Sequence, residues 1–209
     1  MFVPRWLLLV AALWFWHTPW LWPLKVLVVL FHELGHASVG VLTGGTLVRL
    51  DLDPNQAGAA HVRGGSHLLV LNAGYLGSLI WGLALLRASR SPSVARWVTA
   101  LLGALLLWIA ARYTTEPFAM AYGLLAGGVL LGIARLGGRA AAANTLTGVG
   151  LFSVLYALID LRDDVLLGSS PASDAAQLSA LTGIPTIIWG VAWLLLGVGL
   201  VWRTRRWWL

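Results

Sequence analysis

The sequence contains no cysteine, and this absence excludes two kinds of structure. A disulfide framework cannot form, and neither can a metal site built on thiolates. Any bound metal ion would have to be held by histidine, aspartate or glutamate. Charged residues are also scarce, because they make up 11% of the 209 residues, against roughly 25% in a typical soluble domain.

Apolar residues dominate what remains. Hydrophobic residues account for 59% of the chain, and the mean hydropathy is +0.82. A soluble protein of this length could not cover so much apolar surface, whereas a bilayer accommodates it, at about 20 mostly apolar residues for each helical span. We therefore predict an all-α polytopic membrane protein, formed by a single domain over residues 1–209 and located in the cell membrane.

Apolar segments occupy most of the chain. The first is short for a span and could be read as a cleaved signal peptide, but bulky residues stand where small cleavage-site residues are needed, so we interpret it as a retained helix. We therefore predict six to seven transmembrane helices. The segments cover about residues 3–16, 24–43, 67–86, 94–111, 117–136, 144–161 and 184–202.

The formal charge of +6 is distributed as a membrane topology signal. Short basic clusters lie between the apolar segments, which favours the bilayer as the partner and argues against nucleic acid. With seven spans, every acidic residue outside the central motif falls on one side, and this places the C-terminus in the cytoplasm. The bases on the other side are Lys25, Arg87, Arg90, Arg96, Arg135, Arg139, Arg203, Arg205 and Arg206.

Residues 44–66 predict a small β-hairpin. Glycine pairs flank this connection, apolar and polar residues alternate over 46–52, and Asp53-Pro54-Asn55 is a turn signal. Residues 60–63 could pair back onto the first strand. A second long connection, 162–183, is acidic and rich in serine and alanine, and its Ser173-Asp174 pair predicts the N-cap of a short helix.

The central motif is His32-Glu33-Leu34-Gly35-His36 within an apolar helix. Residues four apart share a helix face, so both imidazoles can reach one zinc ion. Glu33 is placed to polarise a water on the zinc and to carry its proton, while zinc acidifies that water and polarises a scissile carbonyl. A polar helix–helix network or a decayed site would be the alternatives, but each ionisable residue at mid-bilayer costs about 2.5–3.5 kcal/mol, and such residues usually mark function.

The third zinc ligand is less clear, since catalytic zinc sites usually have three protein ligands. Asp160 is the best candidate because it closes an apolar helix on the side where the motif helix ends. It lies about 24 Å along its helix, against about 13–18 Å for the two histidines, so helix tilt would be needed. Asp163, Asp164 and His67 remain alternatives, and Asp160 could instead be an interfacial end-cap.

These residues resemble the site-2-protease class of intramembrane zinc metalloproteases (peptidase family M50), and within it the M50B-like branch. The resemblance rests on the motif, the hairpin after it, the segment Ala73-Gly74-Tyr75 and a later helix with an aspartate. Segments around Asp163-Asp164 and Ser173-Asp174 also look like this branch. The resemblance implies zinc on His32, His36 and Asp160, Glu33 as general base, and membrane-protein substrates.

The sequence departs from the wider family in two places. Ala73-Gly74-Tyr75 lacks the proline of the family's Ala-Gly-Pro element, and Asp160-Leu161 replaces an Asp-Gly signature. The family's post-motif loop is usually cytoplasmic, opposite to the side that the charge count indicates. Two other functions remain as alternatives: a non-catalytic membrane scaffold that keeps the fold, and a small transporter. The transporter does not account for Glu33 beside His32.

Overall fold

The computed structural model describes residues 13–16, 18–166 and 173–207, without the side chains of 163–166 and 207. Most of the first predicted segment, with Arg5 and His17, lies outside this part. A 3-10 turn, Pro19–Leu21, leads into the first long helix. The elements that follow are α1 (Trp22–Leu42), β1 (Thr46–Leu52), β2 (Gly58–Arg63), α2 (His67–Leu71), α3 (Ala73–Ser89), α4 (Pro92–Tyr113), α5 (Pro117–Leu136), α6 (Gly138–Leu166), α7 (Asp174–Thr182) and α8 (Thr186–Thr204).

The predicted all-helical membrane architecture with a small hairpin is confirmed. Within the described residues, five helical stretches are long and apolar enough to cross a bilayer, against the six to seven predicted. They are Pro19–Leu42, Pro92–Tyr113, Pro117–Leu136, Gly138–Arg162 and Thr186–Thr204. The segment predicted at 67–86 is instead two helices, because the chain breaks at Asn72 and leaves α3 with 17 residues.

Facing glycines bring the long helices together at three crossings. A Cβ on Gly77 would lie 2.7 Å from the Cα of Gly35, where α3 crosses α1. Where α3 crosses α6, a Cβ on Gly82 would lie 2.9 Å from the carbonyl oxygen of Gly150, and one on Gly150 would lie 2.8 Å from that of Gly82. Gly103 of α4 and Gly127 of α5 form the third crossing. In a bilayer, where the hydrophobic effect does not drive helices together, such small-residue contacts allow the close packing that holds the bundle.

The predicted hairpin is present, and it packs on α1. β1 and β2 are antiparallel, with Leu52 opposite Gly58 and Thr46 opposite Arg63. The buried side chains of Leu50 and Leu52 join the core formed with α1. On β2, Val62 packs so closely on Gly40 that an added Cβ there would lie 2.6 Å from its Cγ1. These contacts hold the first residues of β2 beside the motif.

Arginines gather at the end of the bundle where α3, α5 and α8 finish and α4 and α6 begin. Arg90 donates to the carbonyl of Arg206 at 2.8 Å, and Arg96 donates to that of Ala134 at 2.8 Å. Lys25, which the sequence assigned to the same side, is not part of this group. Its ammonium lies 4.6 Å from the ring of Trp16, which stacks on Phe152 at the middle of α6 and also contacts Tyr156.

Candidate metal centre

The motif residues lie in the buried middle of α1. The helix begins at a proline-containing first turn and ends at Leu42 with Thr43 as its C-cap, after which Gly44 takes φ +91° and turns the chain into the hairpin. Glu33 and His36 are 5% and 8% exposed, and His32 is partly buried. The two imidazoles lie on one helix face, with ring centroids 4.7 Å apart. The four-residue spacing of the motif therefore places both imidazoles on one face of α1, as the sequence predicted.

Asp174 supplies the carboxylate that meets these imidazoles. Ser173 caps α7 by accepting a hydrogen bond from the amide of Ala176 at 3.3 Å, as predicted, and Asp174 is the first residue of that helix. Its Oδ2 lies 3.2 Å from Nε2 of His32 and 3.2 Å from Nε2 of His36. At 8% exposed, this carboxylate is buried between the two rings.

The two distances from Oδ2 of Asp174 to the imidazole nitrogens fit a shared zinc ion. Tetrahedral zinc with bonds of about 2.0–2.1 Å separates its ligand atoms by about 3.3 Å, close to the 3.2 Å observed. Despite these short distances, Oδ2 is buried and forms no hydrogen bond of acceptable geometry within the described part of the chain. An oxygen close to two nitrogens but aligned with neither is what a shared metal ion would explain. Among the described residues, His32, His36 and Asp174 form the group of possible metal ligands, with ligand atoms within 4.8 Å of one another.

Neighbouring groups orient the ligands. Nδ1 of His36 lies 2.7 Å from the carbonyl oxygen of Val70 at the end of α2. Because a carbonyl only accepts, Nδ1 must carry the proton, and Nε2 then presents its lone pair to a metal. The ring of Tyr75 meets His32 edge-on at 4.9 Å, and Tyr75 in turn packs on Trp193 of α8.

Gly74 leaves the space that the ligands occupy. A Cβ at this position would clash with Nε2 of His32 and would lie 2.6 Å from Oδ2 of Asp174. The Ala-Gly element of α3, noted in the sequence for its family resemblance, therefore forms one wall of the metal centre. Only glycine at this point allows α3 to approach both ligands.

Glu33 projects into a cavity of about 570 Å³ that also contains the three candidate ligands. The first residues of β2 form the opposite wall, where a Cβ on Gly58 would lie 2.9 Å from Oε1 of Glu33. The backbone of Ala60 also interacts with this carboxylate. A buried carboxylate, a candidate metal centre and the backbone of a strand thus share one polar cavity.

The electrostatics of Asp174 match a metal-binding carboxylate. Burial by itself would raise the pKa of this carboxyl group, but protonated imidazoles of His32 and His36 beside it outweigh burial and lower the pKa to about 2 when no cation is bound. The position thus favours the ionised carboxylate beside a positive charge, and the ionised form is the one that binds cations.

The structure brings together only part of the predicted ligand set. Asp160 lines the same cavity, and the carboxylate in the group at metal-ligand spacing is that of Asp174. His67 also lines the cavity, as the first residue of α2, without joining that group. The side chains of Asp163 and Asp164 lie outside the described part of the chain. In the sequence, Ser173-Asp174 predicted a helix cap. A capping pair does not by itself indicate a metal ligand, so sequence reasoning did not find Asp174 as a ligand.

The fold and the site together define the class: a helical membrane protein with a His-Glu-x-x-His motif and a third candidate ligand in one cavity. The Peptidase M50B-like family model matches residues 6–204, which is nearly the whole chain. The chain belongs to the Peptidase M50B-like family. Comparison with curated proteins and with solved structures found no match.

Proposed function

We propose that this protein is an intramembrane zinc metalloprotease of the cell membrane that hydrolyses peptide bonds of membrane-embedded protein substrates. The observation that carries the proposal is the meeting of His32, His36 and Asp174 at zinc-ligand spacing, in one cavity with Glu33. Membership of a peptidase family supports the same reaction class.

In this proposal His32, His36 and Asp174 hold the zinc ion, and Asp160 is not a ligand. Bound zinc would acidify a coordinated water and polarise the scissile carbonyl. The buried contact between His36 and Val70 keeps one ligand in the correct tautomer. Asp160, on the cavity wall, contributes negative charge near His32 without occupying a ligand position.

Glu33 is the general base of the proposed reaction. It is buried beside His32, and its carboxylate faces the cavity between the candidate ligands and β2. From there it can take the proton of the attacking water and deliver it to the leaving amine, so that cleavage adds one water across the peptide bond. A glutamate with this role is needed for catalysis but not for binding the metal.

Strand β2 is positioned to hold the substrate. Gly58, Ala59 and Ala60 line the cavity with backbone and small side chains, which leaves room for an extended peptide. A helical substrate must unwind before its amides are accessible, and pairing with a strand edge would keep it extended. Strand backbone at membrane depth is tolerable where it lines such a cavity. If a variant lacking residues 46–63 bound zinc and still cleaved a test substrate at the wild-type rate, this role would be excluded.

Zinc stoichiometry in detergent-purified protein tests the ligand set. We expect about one zinc per chain in the wild type, in Asp160→Ala and in Glu33→Ala, and strong loss in His36→Ala and Asp174→Ala. The matched pair of aspartates is decisive, because both line the cavity and Asp174 is the one in the group at metal-ligand spacing, 3.2 Å from each imidazole. Loss of zinc in Asp160→Ala with retention in Asp174→Ala would refute the assignment. A wild type that takes up no zinc on reconstitution would favour the non-catalytic scaffold.

A second variant separates catalysis from metal binding. Gly58→Ala would press a Cβ to within 2.8 Å of Cγ of Glu33 while leaving the three ligands untouched. We expect this variant to retain zinc and to lose cleavage of a membrane-embedded test substrate by about tenfold or more, since general-base catalysis contributes roughly 10²–10⁴-fold. Undiminished cleavage by Gly58→Ala or by Glu33→Ala would contradict the role given to Glu33.

A further inference from the structure

The end of the bundle opposite the metal centre carries positive charge that no acidic residue balances. The sequence contains no aspartate or glutamate between Asp53 and Glu116, between Glu116 and Asp160, or after Asp174. The helix ends that meet there come from these stretches. Their arginines are Arg87, Arg90, Arg96, Arg135, Arg139, Arg203, Arg205 and Arg206.

Three of these arginines surround one groove. A cavity of about 490 Å³ opens between the first turns of α4 and the last turns of α5, and α6 begins beside it. Arg96 is held at its rim because its Nε donates to the carbonyl of Ala134 on α5 at 2.8 Å. Arg135 and Arg139 are exposed at the same rim.

The interior of the groove is apolar. It is lined by Trp97, Ala100 and Leu131, and the side chain of Trp97 is 73% exposed. Outside the groove, α4 and α5 carry further exposed apolar residues, such as Leu101 and Val129. Both helices are long and apolar enough to span a membrane, so these residues would contact acyl chains. The groove therefore lies where the headgroup region meets the hydrocarbon.

We propose that this groove binds an anionic phospholipid. The phosphate would contact the three guanidinium groups, which are suited to phosphate oxygens and would meet no headgroup cation there, and one acyl chain would lie along the apolar interior. A soluble anion would match the rim but not the interior, and a zwitterionic lipid would match the interior but not the excess of positive charge. The headgroup contacts are made by Arg96, Arg135 and Arg139, and the acyl contacts by Trp97, Ala100 and Leu131.

Native mass spectrometry of the full-length protein in detergent tests the proposal, with phosphatidylglycerol and phosphatidylcholine of identical acyl chains as probes. We expect the first phosphatidylglycerol to bind the wild type about tenfold more tightly than phosphatidylcholine. Arg135→Gln combined with Arg139→Gln should abolish this preference. Arg203→Gln combined with Arg205→Gln removes the same charge from the same end, outside the groove, and should preserve it. Circular dichroism and gel filtration would verify that both variants are folded.

The outcomes distinguish binding of the lipid in the groove from nonspecific attraction of anionic lipid to the basic end of the bundle. Equal loss of preference in both double variants would overturn the proposal, because it would show that net charge alone recruits the lipid. No preference in the wild type would overturn it as well. Inorganic phosphate serves as the competitor: if it displaces phosphatidylglycerol at equal concentration, the groove is a site for the free anion and not for a lipid.

Discussion

Gly74→Ala is the substitution that most directly tests the geometry of the metal centre. The added Cβ would lie 2.6 Å from Oδ2 of Asp174, where ordinary contacts begin at 3.4 Å, and it would also clash with His32. The ligand would have to move by about 0.8 Å, the difference between the two distances, whereas zinc sites tolerate about 0.2 Å. Because changes beside metal ligands typically cost about 10–100-fold in affinity, we expect zinc to bind at least tenfold more weakly.

The assay is competition between the purified protein and a chromogenic zinc chelator, with metal content measured in parallel. Gly148→Ala is the matched control, since this helical glycine has no described neighbour within 4 Å of an added Cβ. Its zinc affinity should equal that of the wild type. If Gly74→Ala binds zinc as tightly as Gly148→Ala, the close approach of α3 to the ligands is wrong, and with it the position of Asp174.

Two further predictions concern the supports of the site. Gly40→Ala should lower the thermal stability measured in detergent, because its Cβ would lie 2.6 Å from Cγ1 of Val62; adding Val62→Ala should restore part of the loss, and strictly additive effects would contradict the contact. Trp193→Phe removes the donor of a 2.9 Å hydrogen bond to Oδ1 of Asn72 and should cost about 1 kcal/mol of unfolding free energy without loss of zinc stoichiometry. An unchanged melting temperature would show that this bond does not stabilise the break between α2 and α3.

Local patterns in the sequence determined the class of protein and two of the candidate ligands. Low charge and long apolar segments require a bilayer, and this follows from composition without any knowledge of packing. The relation between His32 and His36 is set by the pitch of one helix, so their shared face is fixed by spacing alone. The hairpin after the motif and the cap at Ser173 also depend on neighbours in the chain, and both are present in the structure.

Other features were decided only by contacts between distant segments. The apolar segment at 67–86 reads as one span, yet it breaks at Asn72, whose side chain donates to Leu68 and accepts from Trp193 of α8. The sequence shows an asparagine there but not the tryptophan that it meets. Likewise, the sequence does not show that Gly74 leaves space for two ligands. This becomes clear only from the structure, in which the side chains of His32 and Asp174 lie next to it.

The third candidate ligand shows this limit most clearly. Distances along ideal helices indicated Asp160 as the nearest carboxylate, because it ends a long apolar helix. They could not include α7, a short helix that packs back against the cavity and directs Asp174 at both imidazoles. The sequence by itself indicated that a metal centre would use the two histidines of one apolar helix together with a carboxylate. Which carboxylate completes it depends on helix tilt and on the docking of a separate segment, and these are set by the packing of the whole bundle.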